Sequence, residues 1–184
     1  MYMRFACSLL ILMVLCFTGN AQRVYELEKG KISFHSDAPQ ELISASSDEV
    51  RGIVDISKKA FAFRITMISF MGFNSPLQRE HFNESYMESN LFPEASFSGK
   101  IIEDLDFTKD GTHAVRAKGK LIIHGVAKER IIKAQVTVKS GMMYIESDFV
   151  VPLADHNIKV PRVVSEKLAH DISVSMKASL KPLK

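Results

Sequence analysis

Past residue 16 the chain has no cysteine; the two it contains, Cys7 and Cys16, both lie in an apolar N-terminal stretch. Everything downstream is therefore without a disulfide framework, a thiol nucleophile or a thiolate metal site. Stability must come from a hydrophobic core. Charge of one sign is lacking as well. Basic and acidic residues alternate along the chain and the formal net charge is +3. No basic patch forms, so nucleic acid is not expected as a partner. After the N-terminal stretch there is no second long apolar run, no low-complexity tract, no internal repeat and no linker. These absences leave one domain, long enough for a substantial core, with no stable membrane insertion of its own.

The N-terminal stretch has its own logic. Arg4 is the only charge before Arg23, and Phe5 to Phe17 is almost unbroken apolar. That is the length of a signal h-region and short for a bilayer span. Gly19-Asn20-Ala21 supplies small residues at the −3 and −1 positions of a cleavage site. Residues 1–21 are thus read as a cleavable signal peptide, Gln22 as the mature start, and 22–184 as one periplasmic or secreted domain. The competing reading is a lipoprotein signal acylated at Cys16, against which stands Leu15, bulky where a small residue is needed.

What the rest of the chain has in plenty is alternation. Ile32, Phe34 and Ser36 share one phase. So do Val50, Gly52, Val54 and Ile56, and so do Phe61, Phe63, Ile65 and Met67. The same pattern recurs at Ala95–Ile101, Val115–Ile123, Ile132–Val138, Met143–Val151 and Ile172–Leu180. Period two means one buried and one wet face, the mark of antiparallel sheet. With Val24–Leu27 this makes about nine strand candidates, separated by turn chemistry at Gly30, Asp48, Ser57-Lys58, Asp110-Gly111 and Ser140-Gly141. Between Leu77 and Leu91 the spacing of Phe82, Tyr86, Met87 and Leu91 predicts instead a short one-sided helix. A second helical turn is expected at Val163 to Lys167.

Single-faced strands bury their faces in a sandwich or a closed barrel. The inward set mixes small residues (Gly52, Gly99, Gly119, Ala95, Ala117, Ala134, Ala178) with Met67, Met143, Met176 and several Phe. Small residues leave room and methionine adapts to irregular apolar shapes, which fits a barrel holding something.

Three segments then stand out. The first is His81-Phe82-Asn83-Glu84-Ser85-Tyr86-Met87-Glu88-Ser89 with Phe92-Pro93-Glu94-Ala95-Ser96-Phe97-Ser98-Gly99-Lys100-Ile101. The second is Gly119-Lys120-Leu121-Ile122-Ile123-His124-Gly125-Val126-Ala127-Lys128. The third is Phe149 to Pro161. In this order they resemble the signatures of the YceI-like family, with His156 where the family more often has an aromatic. The resemblance implies an all-β fold: an extended antiparallel eight-stranded lipocalin-like β-barrel with one or two short helices. It also implies a periplasmic or secreted protein holding a polyisoprenoid or other long-chain lipid. It brings no catalytic residues.

The residues add no catalysis of their own. The six histidines, at 35, 81, 113, 124, 156 and 170, lack metal-site spacing and are read as surface or turn histidines. His81 and Glu84 are read as local hydrogen bonds at the helix start. Asp104 and Asp106 are read as a solvated edge. The serines have no nucleophile-elbow context, and no glycine-rich phosphate loop exists. No enzyme, cofactor or metal is expected.

The functional expectation is a cavity for a long-chain isoprenoid or fatty-acyl lipid. It would be walled by Phe34, Phe63, Ile65, Met67, Phe97, Ile101, Val136, Phe149, Val174 and Met176, all on inward phases. Phe82, Met87 and Phe92 are expected to close one end or to pack the helix onto the barrel, with the helix and the Phe70–Pro76 loop as gates. The alternative is a periplasmic interaction module with a filled core, acting through its surface. A homodimer is left open.

Overall fold

The computed structural model describes residues 24–183; the expected signal peptide, the Gln22 start and both cysteines lie outside them. Nine strands follow in chain order: β1 Val24–Asp37, β2 Leu42–Ser47, β3 Val50–Asp55, β4 Ala60–Thr66, β5 Glu94–Ile101, β6 Gly111–Ile123, β7 Val126–Lys139, β8 Met142–Pro152 and β9 Asp171–Pro182. Each pairs antiparallel with the next, save that β2 and β3 both pair with β1, and β1 closes onto β9. β2 and β3 together make one wall, broken at Asp48-Glu49, where the Ser47 hydroxyl accepts from the Glu49 amide at 3.0 Å. The result is a closed eight-stranded antiparallel barrel with a single short α-helix, α1 Pro76–His81.

Alternation holds along the long strands. On β8, Met143, Ile145, Ser147 and Val151 are buried and the residues between them are mostly exposed. On β7, Ile132, Val136 and Val138 are buried against exposed Lys133 and Gln135. The thirteen residues of β6, at ~3.3 Å each and the usual barrel tilt, give roughly 30 Å of axial height.

Two segments depart from the expected reading. Gly30 does not separate two strands; it lies inside β1, and a bulge between Leu27 and Lys29 leaves Glu28 as an extra residue. The bulge switches the inward phase from Tyr25 and Leu27 to Gly30, Ile32, Phe34 and Ser36, so two runs out of phase belong to one strand. A Cβ on Gly30 would lie 2.4 Å from Val50 Cγ1, so a side chain there is excluded by packing. The second departure is β2, whose sequence Leu-Ile-Ser-Ala-Ser-Ser carries too little apolar contrast to be read as a strand.

The helix is also shorter than its pattern. It starts at Pro76 with Ser75 as N-cap, its hydroxyl accepting from the Gln78 amide at 3.2 Å. It continues into a π turn, Phe82–Tyr86, in which the Met87 amide donates to Phe82 O at 2.9 Å. His81 therefore ends α1 and does not cap its start. The later helical turn falls at Arg162–Val164.

Candidate functional site: an apolar lumen with one mouth

The barrel encloses a cavity of about 600 Å³. Its wall is drawn from the inward phases of the strands. Inward residues such as Phe63, Phe97, Ala117, Ala134, Phe149, Val174 and Met176 are only half-buried. They point into the barrel, so the surface they keep faces the lumen. Two polar side chains within the wall are already committed. Ser36 Oγ accepts from the Ala169 amide at 2.9 Å, and Ser147 Oγ donates to Lys133 O at 2.7 Å. A guest finds apolar surface and little to hydrogen-bond.

The two ends differ. At one end Phe107, 3 % exposed, folds in from the β5–β6 connection and joins the cluster of Tyr25, Val54, Phe61 and Ile101. His113 packs edge-on against it, ring centroids 5.7 Å apart, with Nε2 buried and without a hydrogen-bond partner. Outside this end Asp104 pairs with Lys59 at 2.7 Å and Asp106 accepts from Thr108, which holds both carboxyls below the usual range, as a solvated edge should.

The other end carries the β1–β2, β4–β5, β6–β7 and β8–β9 connections. Here Phe34 stacks on Phe82 at 5.4 Å, and Phe70 and Phe73 join them at 5.4 and 5.9 Å from Phe34. Arg79 fixes α1 to its approach segment by donating to Ile68 O at 3.0 Å and Phe70 O at 3.2 Å. The Phe70–Pro76 loop is tied down through the Met71–Ser46 backbone pair, at 2.8 and 2.9 Å. Gln78 Nε2 donates to Glu41 Oε1 at 2.5 Å, and the Gln40 amide donates to Glu166 O at 2.8 Å. The β1–β2 turn is thereby clamped to both neighbours. Leu77, Gln78 and His81 on one side and Val164, Lys167 and Leu168 on the other line the cavity where it reaches the surface. The opening is this gap, with no hydrogen bond across it among the described residues.

All ten sequence-predicted residues line the lumen. Ile65, Met67, Ile101 and Val136 are its buried members; the rest are half-buried. Phe82 and Met87 line it too, but Phe92 does not. Phe92 packs on His124 at 4.5 Å and covers Gly125, so it seals the β6–β7 turn instead of the barrel end. Gly119 also departs from its expected part. It faces Gly99 across β5 and β6, and a Cβ on it would sit 2.2 Å from Ser98 O. Its smallness serves close backbone approach, not the width of the bore. Ile43, Tyr86, Ile158 and Leu168 belong to the lumen and were not found, because they sit on β2, the π turn or a loop, where no strand alternation marks them.

His124 sits in the β6–β7 turn as expected, whereas His156 is a fully buried histidine. His124 Nε2 is 2.6 Å from Glu88 Oε2 and its Nδ1 is 3.2 Å from His156 O. His156 has no exposed surface. Its Nδ1 donates to Val126 O at 3.0 Å, while Nε2 is buried unpartnered. Burial holds its pKa below the ordinary histidine value, against the hydrogen bond to Val126 and the charge of Asp155. These contacts pin three mouth connections together.

An up-and-down antiparallel barrel with an apolar lumen and one mouth is a ligand-holding architecture. The YceI-like domain model matches residues 24–180, and the chain belongs to that family. No curated protein matches. Among solved structures the barrel is similar to a polyisoprenoid binding domain from Saccharophagus degradans implicated in plant cell wall breakdown. The TM-score is 0.73 at 12 % identity, covering 86 % of this chain and 98 % of that one. It is also similar to Burkholderia cenocepacia BcnA, TM-score 0.68 at 14 % identity over 82 % and 95 % of the two chains. The Campylobacter jejuni YCEI protein matches with TM-score 0.56 at 15 % identity, over 71 % and 78 %. At these identities the likeness is one of fold.

Proposed function

We propose that this chain is an exported binding protein that holds a long-chain polyisoprenoid, or a similar acyl lipid, in its barrel. The observation that carries the reading is the lumen: about 600 Å³ of apolar space, within the range of ligand cavities. A chain lipid has nothing to hydrogen-bond along most of its length, and burial at ~25 cal/mol per Å² supplies its affinity. Membership of the family and a polyisoprenoid binding domain among the structural neighbours support the same ligand class. A core packed solid, as an interaction module would have, leaves no such volume. The strands of one chain close the barrel around this lumen.

Export rests on the apolar run Phe5–Phe17 and the small residues of Gly19-Asn20-Ala21. Among the described residues no helix is long and apolar enough to cross a membrane. The test is an organic extract of the purified protein, run on a mass spectrometer beside an intact-mass measurement. A chain lipid in the extract and a Gln22 start are the expected results. No lipid in the extract, and no rise in melting temperature when chain lipid is added, refutes the carrier. A lipid-modified Cys16 at the start makes the protein membrane-anchored.

A further inference from the structure

We infer that the mouth of the barrel is also a docking surface for an anionic phospholipid bilayer, through which the lumen is loaded and emptied. This deepens the carrier reading and rests on it for its purpose, though not for its test.

The mouth is bounded by three segments, and each turns a large apolar side chain outward. Leu42 follows the β1–β2 turn and is 59 % exposed, Leu77 on α1 is 56 % exposed, and Val163 in the β8–β9 connection is 90 % exposed. Hydrogen bonds place the segments side by side: Asn74 Nδ2 donates to Leu42 O at 2.9 Å, and the Gln40 amide reaches Glu166 O. Scattered exposed leucines are ordinary, but large apolar side chains gathered around a cavity entrance mark an interaction surface.

Charge on the β8–β9 segment, which carries the most exposed apolar side chain, Val163, points to the partner; the β1–β2 turn and α1 with its π turn carry Asp37, Glu41, Glu80 and Glu84 against Arg79 and stand back from it. Between Ile158 and Ala169 the cations are Lys159, Arg162 and Lys167, and the one anion is Glu166. None of those cations forms a salt bridge among the described residues. An apolar tip flanked by unpaired cations is the pattern of a segment that seats its apolar residue among acyl chains and its cations among phosphates. An anionic bilayer neutralises these cations. Leu77 belongs to both the rim and the lining of the lumen, so a chain lipid passes from the bilayer into the barrel beside it.

The test is flotation with vesicles of phosphatidylglycerol and phosphatidylethanolamine, against vesicles of phosphatidylcholine alone. Wild type and variants carry the same N-terminus, fixed by intact mass. Leu42→Asp/Val163→Asp and Lys159→Glu/Arg162→Glu change rim residues outside the lumen. Each double variant should weaken partition onto the anionic vesicles at least tenfold, with an unchanged melting temperature and an unchanged capacity for chain lipid delivered from detergent. Salt should weaken wild-type binding. A wild type that holds lipid yet ignores the vesicles overturns the docking surface, as do variants that float like wild type. So does a sedimentation result in which the substitutions break a dimer and leave vesicle binding intact. A wild type that floats but takes up no chain lipid refutes the carrier reading and leaves the docking surface standing.

Discussion

Ala134→Phe separates a lumen from a core by the sign of a stability change. Ala134 sits on β7 opposite Val115, between buried Ile132 and Val136, and it lines the cavity while itself only half-buried. A phenyl ring grown from it enters free space. Full burial of such a ring is worth about 1.5–3 kcal/mol, and freezing its rotamers returns up to about 1 kcal/mol of that. The stripped protein should therefore gain about 1 kcal/mol, which raises the melting temperature by about 2–4 °C in a domain of this size. The loaded protein should move the other way. A ligand at a hundred times its Kd contributes about 2.7 kcal/mol, and the ring occupies the space that ligand needs. Calorimetry on stripped and lipid-saturated samples of both proteins, with extracted lipid weighed in parallel, reads both arms. A stripped variant that melts lower by the about 1–3 kcal/mol of an overpacked core refutes the lumen as a free volume.

Gly119→Ala should destabilise by about 1–3 kcal/mol without touching lipid specificity, because its Cβ meets the Ser98 backbone and not the lumen; a denaturant midpoint near wild type would show that β5 and β6 can part there cheaply. Ile65→Asp, burying an unpaired carboxylate at a 6 % exposed position, should abolish a cooperative melt. Lys118→Glu and Lys133→Glu should stay within about 0.5 kcal/mol, tending to stabilise since each faces a like charge, Lys100 and Arg116; equal tolerance at all of these sites would put the register off by one. His156, held neutral by burial with Asp155 and Arg130 nearby, should make the fold acid-sensitive. The unfolded chain takes up this proton near pH 6.5 and the folded one only lower. Stability is thus constant above that pH and falls below it, by up to about 1.4 kcal/mol per pH unit, until the folded pKa is reached. Urea midpoints between pH 7.5 and 5 should show this fall, and His156→Phe should flatten it.

The inward faces of β4 to β9 are legible because each side chain's direction follows from parity alone. Phe63, Ile65, Phe97, Ile101, Val136, Phe149, Val174 and Met176 all land on the lumen wall for that reason. His113 was legible by the same rule, sharing the phase of Val115 and Ala117, but its residue type suggested surface. Parity fails where the chain changes step. The extra residue Glu28 flips β1, and nothing in the residues themselves marks a bulge there. β2 pairs through its backbone with a strand whose apolar content does the work of burial, so its own serines conceal it. His156 follows the end of β8 in a 3-10 turn, where burial depends on Val126 and Ile123 from a distant hairpin. The mouth is assembled from three such connections, and local sequence carries no record of their meeting.

The join between β1 and β9 has a consequence for how the barrel comes together. Ser179 and Lys29, hydrogen-bonded across that join, are 150 residues apart in sequence. Closure is thus the longest-range event in folding and among the slowest. Until it happens the growing sheet has two raw borders, each a row of unpaired amides and carbonyls able to recruit a neighbour. Outward from one border point Glu26, Glu28, Lys29 and Lys31, and from the other Lys177 and Lys181. In the finished barrel these residues form no more than exposed pairs such as Lys181 with Glu28 at 3.6 Å, worth little to stability. In the unfinished one, charged side chains along each border discourage pairing with another chain, and on closure Glu26 comes opposite Lys181 while Lys31 comes opposite Lys177.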